Sequence, residues 1–206
     1  LRHAEGTDWE SVAPFRTKED SGHERPWLRF LAGELPEYPE EILRQSYGIV
    51  SRRLAQIRTD EADLTQVNIH HWQEHNPITT EALVQLTLGA PQPIYNGGLL
   101  HAPIAYSDPV AERPGLPPDI AALVRRVTAE ALTVELINLS PLAGREVIVH
   151  AGMFNEHQFT HVHTTAGAQA INADRLRLCM PPSTTITLDL GLRRHVGQPR
   201  YGSYQG

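Results

Sequence analysis

The 206 residues contain a single cysteine and a single lysine. With only Cys179, an internal disulfide framework and a cysteine-rich zinc site are both excluded. That residue lies in Leu176-Arg177-Leu178-Cys179-Met180, which reads as a strand, so its thiol is expected to be buried and inert. Lys18 is the only lysine among 18 basic residues, a compositional bias from which no function follows. Acidic residues number 24 and the net charge is −6, the wrong sign for a protein that must displace counterions from nucleic acid. Long apolar runs are missing too: none approaches the roughly 20 residues needed to cross a bilayer. Neither nucleic acid nor membrane is therefore an expected partner. The chain has no nucleotide-binding glycine loop, no G-x-S-x-G elbow and no EF-hand loop, which disfavours kinase, nicotinamide-enzyme and serine-hydrolase readings. No cofactor is expected, and the compartment stays open.

What is present is a change of periodicity near the middle of the chain. Before about residue 100 the apolar residues recur at helical spacing. From Leu132 to Leu190 they alternate in short runs broken by turn signals, as in half-buried strands. The expected fold class is α+β, an N-terminal helical segment followed by a small antiparallel β-sandwich. Residues 1–130 are expected to be mainly helix and loop with an extended N-terminal arm, and residues 131–206 to form the sandwich with a C-terminal tail. The arm, about 1–26, carries Trp9 and Phe15, with Trp27 just beyond, aromatics that suit anchoring on another surface. The chain begins at Leu1, which leaves a mature form, a subunit and a fragment of something longer all open.

The spacing predicts a helix over about 39–58, with Pro39, Glu40 and Glu41 in its first turn and Arg52, Arg53 and Arg58 toward its negative end. Its buried stripe is read as Ile42, Leu43, Tyr47, Val50, Leu54 and Ile57. A polar loop ends at Asn76, which is expected to cap a second helix from Pro77 to Leu88, stopped by Gly89. Residues 99–106 read as a short strand and 118–127 as a short helix. Strands follow at 132–139, 145–151, 157–164, 175–180 and 184–190, with Gly167 to Asp174 as a connection. Two helices cannot bury their own apolar faces and also cover a sheet. They either pack on the sheet or belong to a larger helical array.

Three places can carry chemistry. The densest is His70-His71-Trp72-Gln73-Glu74-His75-Asn76, in which His71 to His75 formally fits H-x-x-E-H. That pattern needs a continuous helix to bring both imidazoles to one side of a metal, and the following Asn76-Pro77 biases the backbone away from helix. Read as a loop, the same residues either surround a Trp72 tucked into the core or suit sugar recognition and acid–base work. In the second case His71, Glu74 and His75 are the candidate catalytic groups, with Trp72 and Asn76 holding the substrate. The loop from Pro93 to His101 adds Tyr95, Asn96 and His101 as candidate substrate contacts, next to paired glycines that let backbone approach a ligand. The strand His157 to His163 is third. Strict alternation puts His157, Phe159, His161 and His163 on one face, with His161 and His163 about 6.5–7 Å apart, a spacing open to a shared metal.

The runs Val134-Glu135-Leu136-Ile137-Asn138-Leu139-Ser140-Pro141 and Arg145-Glu146-Val147-Ile148-Val149 carry a resemblance. They are similar to the opening strands of the accessory sandwich in carbohydrate-active proteins, where an α/α-helical toroid is capped by a β-sandwich. The resemblance covers about the last two thirds of the chain and transfers no catalytic residue. It implies a subunit or C-terminal portion of a glycoside hydrolase or polysaccharide lyase type of enzyme. The implied ligand is an oligosaccharide or polysaccharide, and the implied protein contact a larger partner or a second copy. Two alternatives stand beside it. One is a non-catalytic sandwich module that docks on a larger partner through Trp9, Trp27 and the Tyr201–Tyr204 tail. The other is a metal enzyme using His161 and His163.

Overall fold

The computed structural model describes residues 24–91, 98–165 and 167–200. Four helices come first: α1 (Glu24–Leu31), α2 (Tyr38–Thr59), α3 (Ile69–His75) and α4 (Glu81–Leu88). A 3-10 turn at Gly98–His101 leads into nine strands: β1 (Ile104–Asp108), β2 (Arg113–Pro114), β3 (Ile120–Val127), β4 (Ala131–Asn138), β5 (Arg145–Ala151), β6 (Gln158–Thr164), β7 (Gly167–Ala173), β8 (Arg175–Met180) and β9 (Thr185–Arg193). They form two antiparallel sheets, ordered β2-β1-β5-β8 and β3-β4-β9-β6-β7. The fold is α+β, helices followed by a small β-sandwich. No helix among the described residues is long and apolar enough to cross a membrane.

Alternation builds the core. On β4 every second residue (Leu132, Val134, Leu136 and Asn138) points inward. They meet Leu188 and Leu190 of β9 on their own sheet and Val147, Val149 and Met180 of the other. Asn138 is the polar exception, 1% exposed. Its amide nitrogen donates to the carbonyls of Ala143, Met180 and Pro181, and its Oδ1 accepts from the Ser140 backbone N–H. One side chain thus ties the β4–β5 turn to the β8–β9 turn, and its buried amide is fully used.

The helices cover β3, the edge strand of the larger sheet, where α1 and α4 pack. Trp27, Phe30 and Leu31 of α1 and Ala82 and Leu86 of α4 enter the core there. Tyr38 at the start of α2 donates its hydroxyl to the buried Gln85 Oε1 of α4 at 2.6 Å. Gly89 ends α4 with φ +61°, and a Cβ there would lie 3.1 Å from Val124 and 3.2 Å from Pro103. Left-handed backbone and close approach to β3 both call for glycine.

Several expectations are corrected. Residues 120–127 form strand β3, not a helix: Asp119 sits at φ +63°, which breaks a helical start, and the segment pairs with β4 along its length. The 99–106 segment begins as a 3-10 turn and extends only from Ile104, and β7 occupies the expected connection at 167–174. The helix expected from Pro77 starts at Glu81, because Asn76 Oδ1 accepts from the Ile78 N–H in a local turn instead of capping a helix. Cys179 is exposed, since Leu176, Leu178 and Met180 take the inward positions of β8. On β6 the register slips: Phe159 faces Leu192 and Val162 faces Leu190 of β9. This bulge points both Phe159 and Val162 inward, so His161 and His163 are exposed while His157 is buried, not all on one face. Of the stripe read on α2, Ile42 is buried, but Tyr47, Leu54 and Ile57 are 71%, 39% and 42% exposed. The anchors expected at Trp9, Tyr201 and Tyr204 lie outside the described residues, and Trp27 is in the core, not at a free surface.

Asn138→Ala removes the plug joining the two turns and strands their carbonyls. It should lower unfolding free energy by about 3 kcal/mol in urea titrations. A change below about 1 kcal/mol would show that water replaces the amide there.

Candidate functional site

Residues Ile69–His75 form a helix where the following Asn76-Pro77 predicts a loop. Asn68 caps it, its side chain accepting from the His70 N–H at 2.9 Å. Pro77 does keep Asn76 extended (φ −73°, ψ 111°), but the helix has already run through His75. Arg53 of α2 donates to the Asn76 carbonyl at 2.6 Å, which fastens the end of α3 to α2.

On this helix His71 and His75, four residues apart, stack with ring centroids 4.1 Å apart and planes 23° apart. Asp60, the residue that ends α2, lies against both. His71 Nε2 is 2.8 Å from Asp60 Oδ2, and His75 Nε2 is 3.8 Å from the same oxygen. The other carboxylate oxygen accepts the Ala62 backbone N–H at 3.0 Å. That hydrogen bond holds the Asp60 carboxyl below the usual carboxylate range against the opposing cost of desolvation, with the charge and hydrogen bond of His71 and the charge of His75 adding to it. His75 Nδ1 is 2.8 Å from the His71 carbonyl oxygen. A carbonyl only accepts, so Nδ1 carries a proton, and in the neutral imidazole Nε2 then presents a lone pair toward Asp60.

The other expected site residues fall around this cluster unevenly. Trp72 is 51% exposed, not tucked into the core, and stands edge-on to His71 with centroids 5.9 Å apart. Glu74 is exposed on the same helix. Asn76 is committed to the backbone through the turn at Ile78 and the bond from Arg53. His101 is exposed at the end of the 3-10 turn, and among the described residues no hydrogen bond, ion pair or ring contact joins it to α3. Tyr95 and Asn96 lie outside the described residues. His161 and His163 lie far along the chain on β6, with the His161 ring over Gly191, where a Cβ would collide with it.

Sequence reading missed a buried network on the smaller sheet. Ser107 Oγ of β1 and His150 Nε2 of β5 are 2.7 Å apart, and His150 Nδ1 is 2.7 Å from Asn155 Oδ1. The order of groups is that of a hydroxyl, a base and an orienting amide. Ser107 is wholly buried and His150 is 4% exposed, so the network serves packing, not substrate. Only the register of β1 on β5 creates it, and no local sequence signal announces it. A cleft of about 660 Å³ nearby is lined by Asp108, Pro117, Pro118, Arg145 and Glu146. Its charges are already spent: Arg145 pairs with Asp119, Glu146 with Arg177, and Asp108 accepts two backbone N–H groups.

Burial holds the His150 and His157 imidazoles below their ordinary pKa of 6.5. The unfolded chain then binds protons that the native state refuses, so stability is full above pH 6.5 and falls as pH drops from there toward the depressed values. The melting temperature should decline across that window, and His150→Gln with His157→Gln should flatten the decline. A parent profile level from about pH 7.5 to about pH 5 would refute the assignment.

Residues 1–84 match a family model described as a domain of unknown function (DUF8034), a stretch that contains Asp60, His71 and His75. No curated protein matches the chain.

Proposed function

We propose that this chain contributes a sugar-contacting rim to a carbohydrate-active assembly. The observation that carries the reading is Trp72. A tryptophan 51% exposed and held edge-on by His71 has the makings of a stacking platform for a pyranose ring. Burial would normally claim a tryptophan in a chain with few aromatics, so its position on a rim calls for something to cover it. Of the expected proton carriers, His71 and His75 converge on Asp60, and Glu74, two residues beyond Trp72 on α3, faces away from the indole. Asn76 drops out of the substrate contacts, its side chain being used by the backbone. Trp72→Ala should weaken oligosaccharide binding about fivefold or more in calorimetric titration, the worth of one stacking contact, with the melting temperature unchanged. Equal binding by parent and variant, or no binding by the parent, would overturn the reading.

A second reading, a non-catalytic module that docks on a larger partner, is favoured by a separate observation. Leu43, Tyr47, Val50, Leu54 and Ile57 follow a 4-3-4-3 spacing along α2, the repeat of a seam that receives another helix. At about 100° per residue Tyr47 and Leu54 lie about 120–180° around the helix from Tyr38 and Ile42, the buried residues of α2, whereas Leu43 packs against the core and Val50 and Ile57 lie between the two faces. Eight of the thirteen large apolar side chains exposed among the described residues fall between Tyr47 and Leu83, all in the helical layer. The two readings are compatible, since a larger helical array is what both would dock against. In sedimentation velocity the parent should self-associate near 100 μM as the seam finds a stand-in partner, by the general behaviour of exposed apolar patches. The Leu54→Glu, Ile57→Glu double variant should stay monomeric. A parent monomeric at every concentration would remove this reading.

A further inference from the structure

We infer that Asp60, His71 and His75 form a binding site for a divalent first-row transition metal ion, with zinc as the reference ion. The donor set is two imidazole nitrogens and one carboxylate oxygen, the mixture that borderline cations prefer and that Mg²⁺ and Ca²⁺ do not. The three atoms converge to within 4.8 Å of one another. Zinc bonds of about 2.0–2.1 Å imply tetrahedral edges near 3.3 Å. The observed separations from Asp60 Oδ2, 2.8 Å to His71 and 3.8 Å to His75, bracket that edge.

The second argument comes from the protons. His71 Nε2 meets Asp60 Oδ2 as a hydrogen-bond donor, but neutral His75 cannot do the same. In the neutral imidazole its Nδ1 proton is used on the His71 carbonyl, so its Nε2 lone pair faces a carboxylate oxygen that is also an acceptor. Two acceptors aimed at each other call for a cation between them, either a proton on His75 or a metal ion held by both. At 3.8 Å the gap is too long for a hydrogen bond and right for ligands that share an ion. The contact from Nδ1 to a backbone carbonyl is also the outer-shell partner that ligating histidines commonly have, fixing tautomer and ring orientation. All three residues are partly exposed, with side chains 17–21% accessible, which leaves the fourth coordination position to water or to an oxygen ligand from outside. Tying Asp60 to α3 would also lock the end of α2 against the helix that follows it.

This inference stands apart from the sugar-binding reading, and its test uses no saccharide. The chelator-stripped full chain is titrated with ZnSO₄ by calorimetry. Uptake of one equivalent is expected, with Mg²⁺ at least about a hundredfold weaker. Asp60→Asn, His71→Ala and His75→Ala should each weaken zinc binding by at least about tenfold, while the His161→Ala, His163→Ala double variant binds as the parent does. Co²⁺ added to the parent should give the strong visible absorption of a four-coordinate site, which serves as a readout independent of how the variants fold. No zinc uptake by the parent, uptake unchanged in the three variants, or uptake lost only with His161 and His163 would each overturn the proposal.

Discussion

The packing of α1 and α4 on the edge strand β3 is the contact on which the rest of the helical layer depends. The sandwich completes its own core from alternating strands, but the helices have little they bury alone. α2 reaches the core through Tyr38 and Ile42, and Tyr38 is bonded to Gln85 on α4. α3 has no buried residue at all and is held through its cap, through Arg53 and through Asp60. Each helix is thus secured through the one nearer to β3. Gly89 is critical in this chain of supports, because its lack of a side chain lets the end of α4 approach Val124 and Pro103.

Much of the fold was legible because half-buried strands announce themselves by period two. β4, β5, β6, β8 and β9 were found near their true positions from alternation and turn residues alone. β7 was not, because Gly167-Ala168-Gln169-Ala170 offers small residues with little contrast between faces. β3 reads as a helix in sequence because Pro118-Asp119 looks like a helix start, and the left-handed Asp119 that prevents one is invisible there. The bulge in β6 defeated simple alternation in the same way. One extra residue exchanged the faces of the histidines, and nothing in His161-Val162-His163 marks where it falls.

The site was legible in part. His71 and His75 were singled out by spacing, and the rule that a proline expels its predecessor from a helix was sound: Asn76 is extended. The error lay in extending that rule backwards, since a helix can end one residue before the constraint begins. Asp60 was not recognised, because eleven residues separate it from His71 and only the return of the chain from α2 to α3 brings them together. Ser107 and His150 were beyond reach for the same reason, joined solely by the register of two strands.

The length of α2 has a mechanical consequence. Its 22 residues span about 33 Å, and only its first two turns meet the core, through Tyr38, Ile42 and Leu43. The helix therefore works as a cantilever, with the histidine–aspartate cluster at its free end and an apolar seam along its shaft. Anything that clasps the shaft shortens the overhang and stiffens the tip. Occupancy of the seam and the alignment of Asp60 with α3 are then coupled by leverage, although no residue belongs to both.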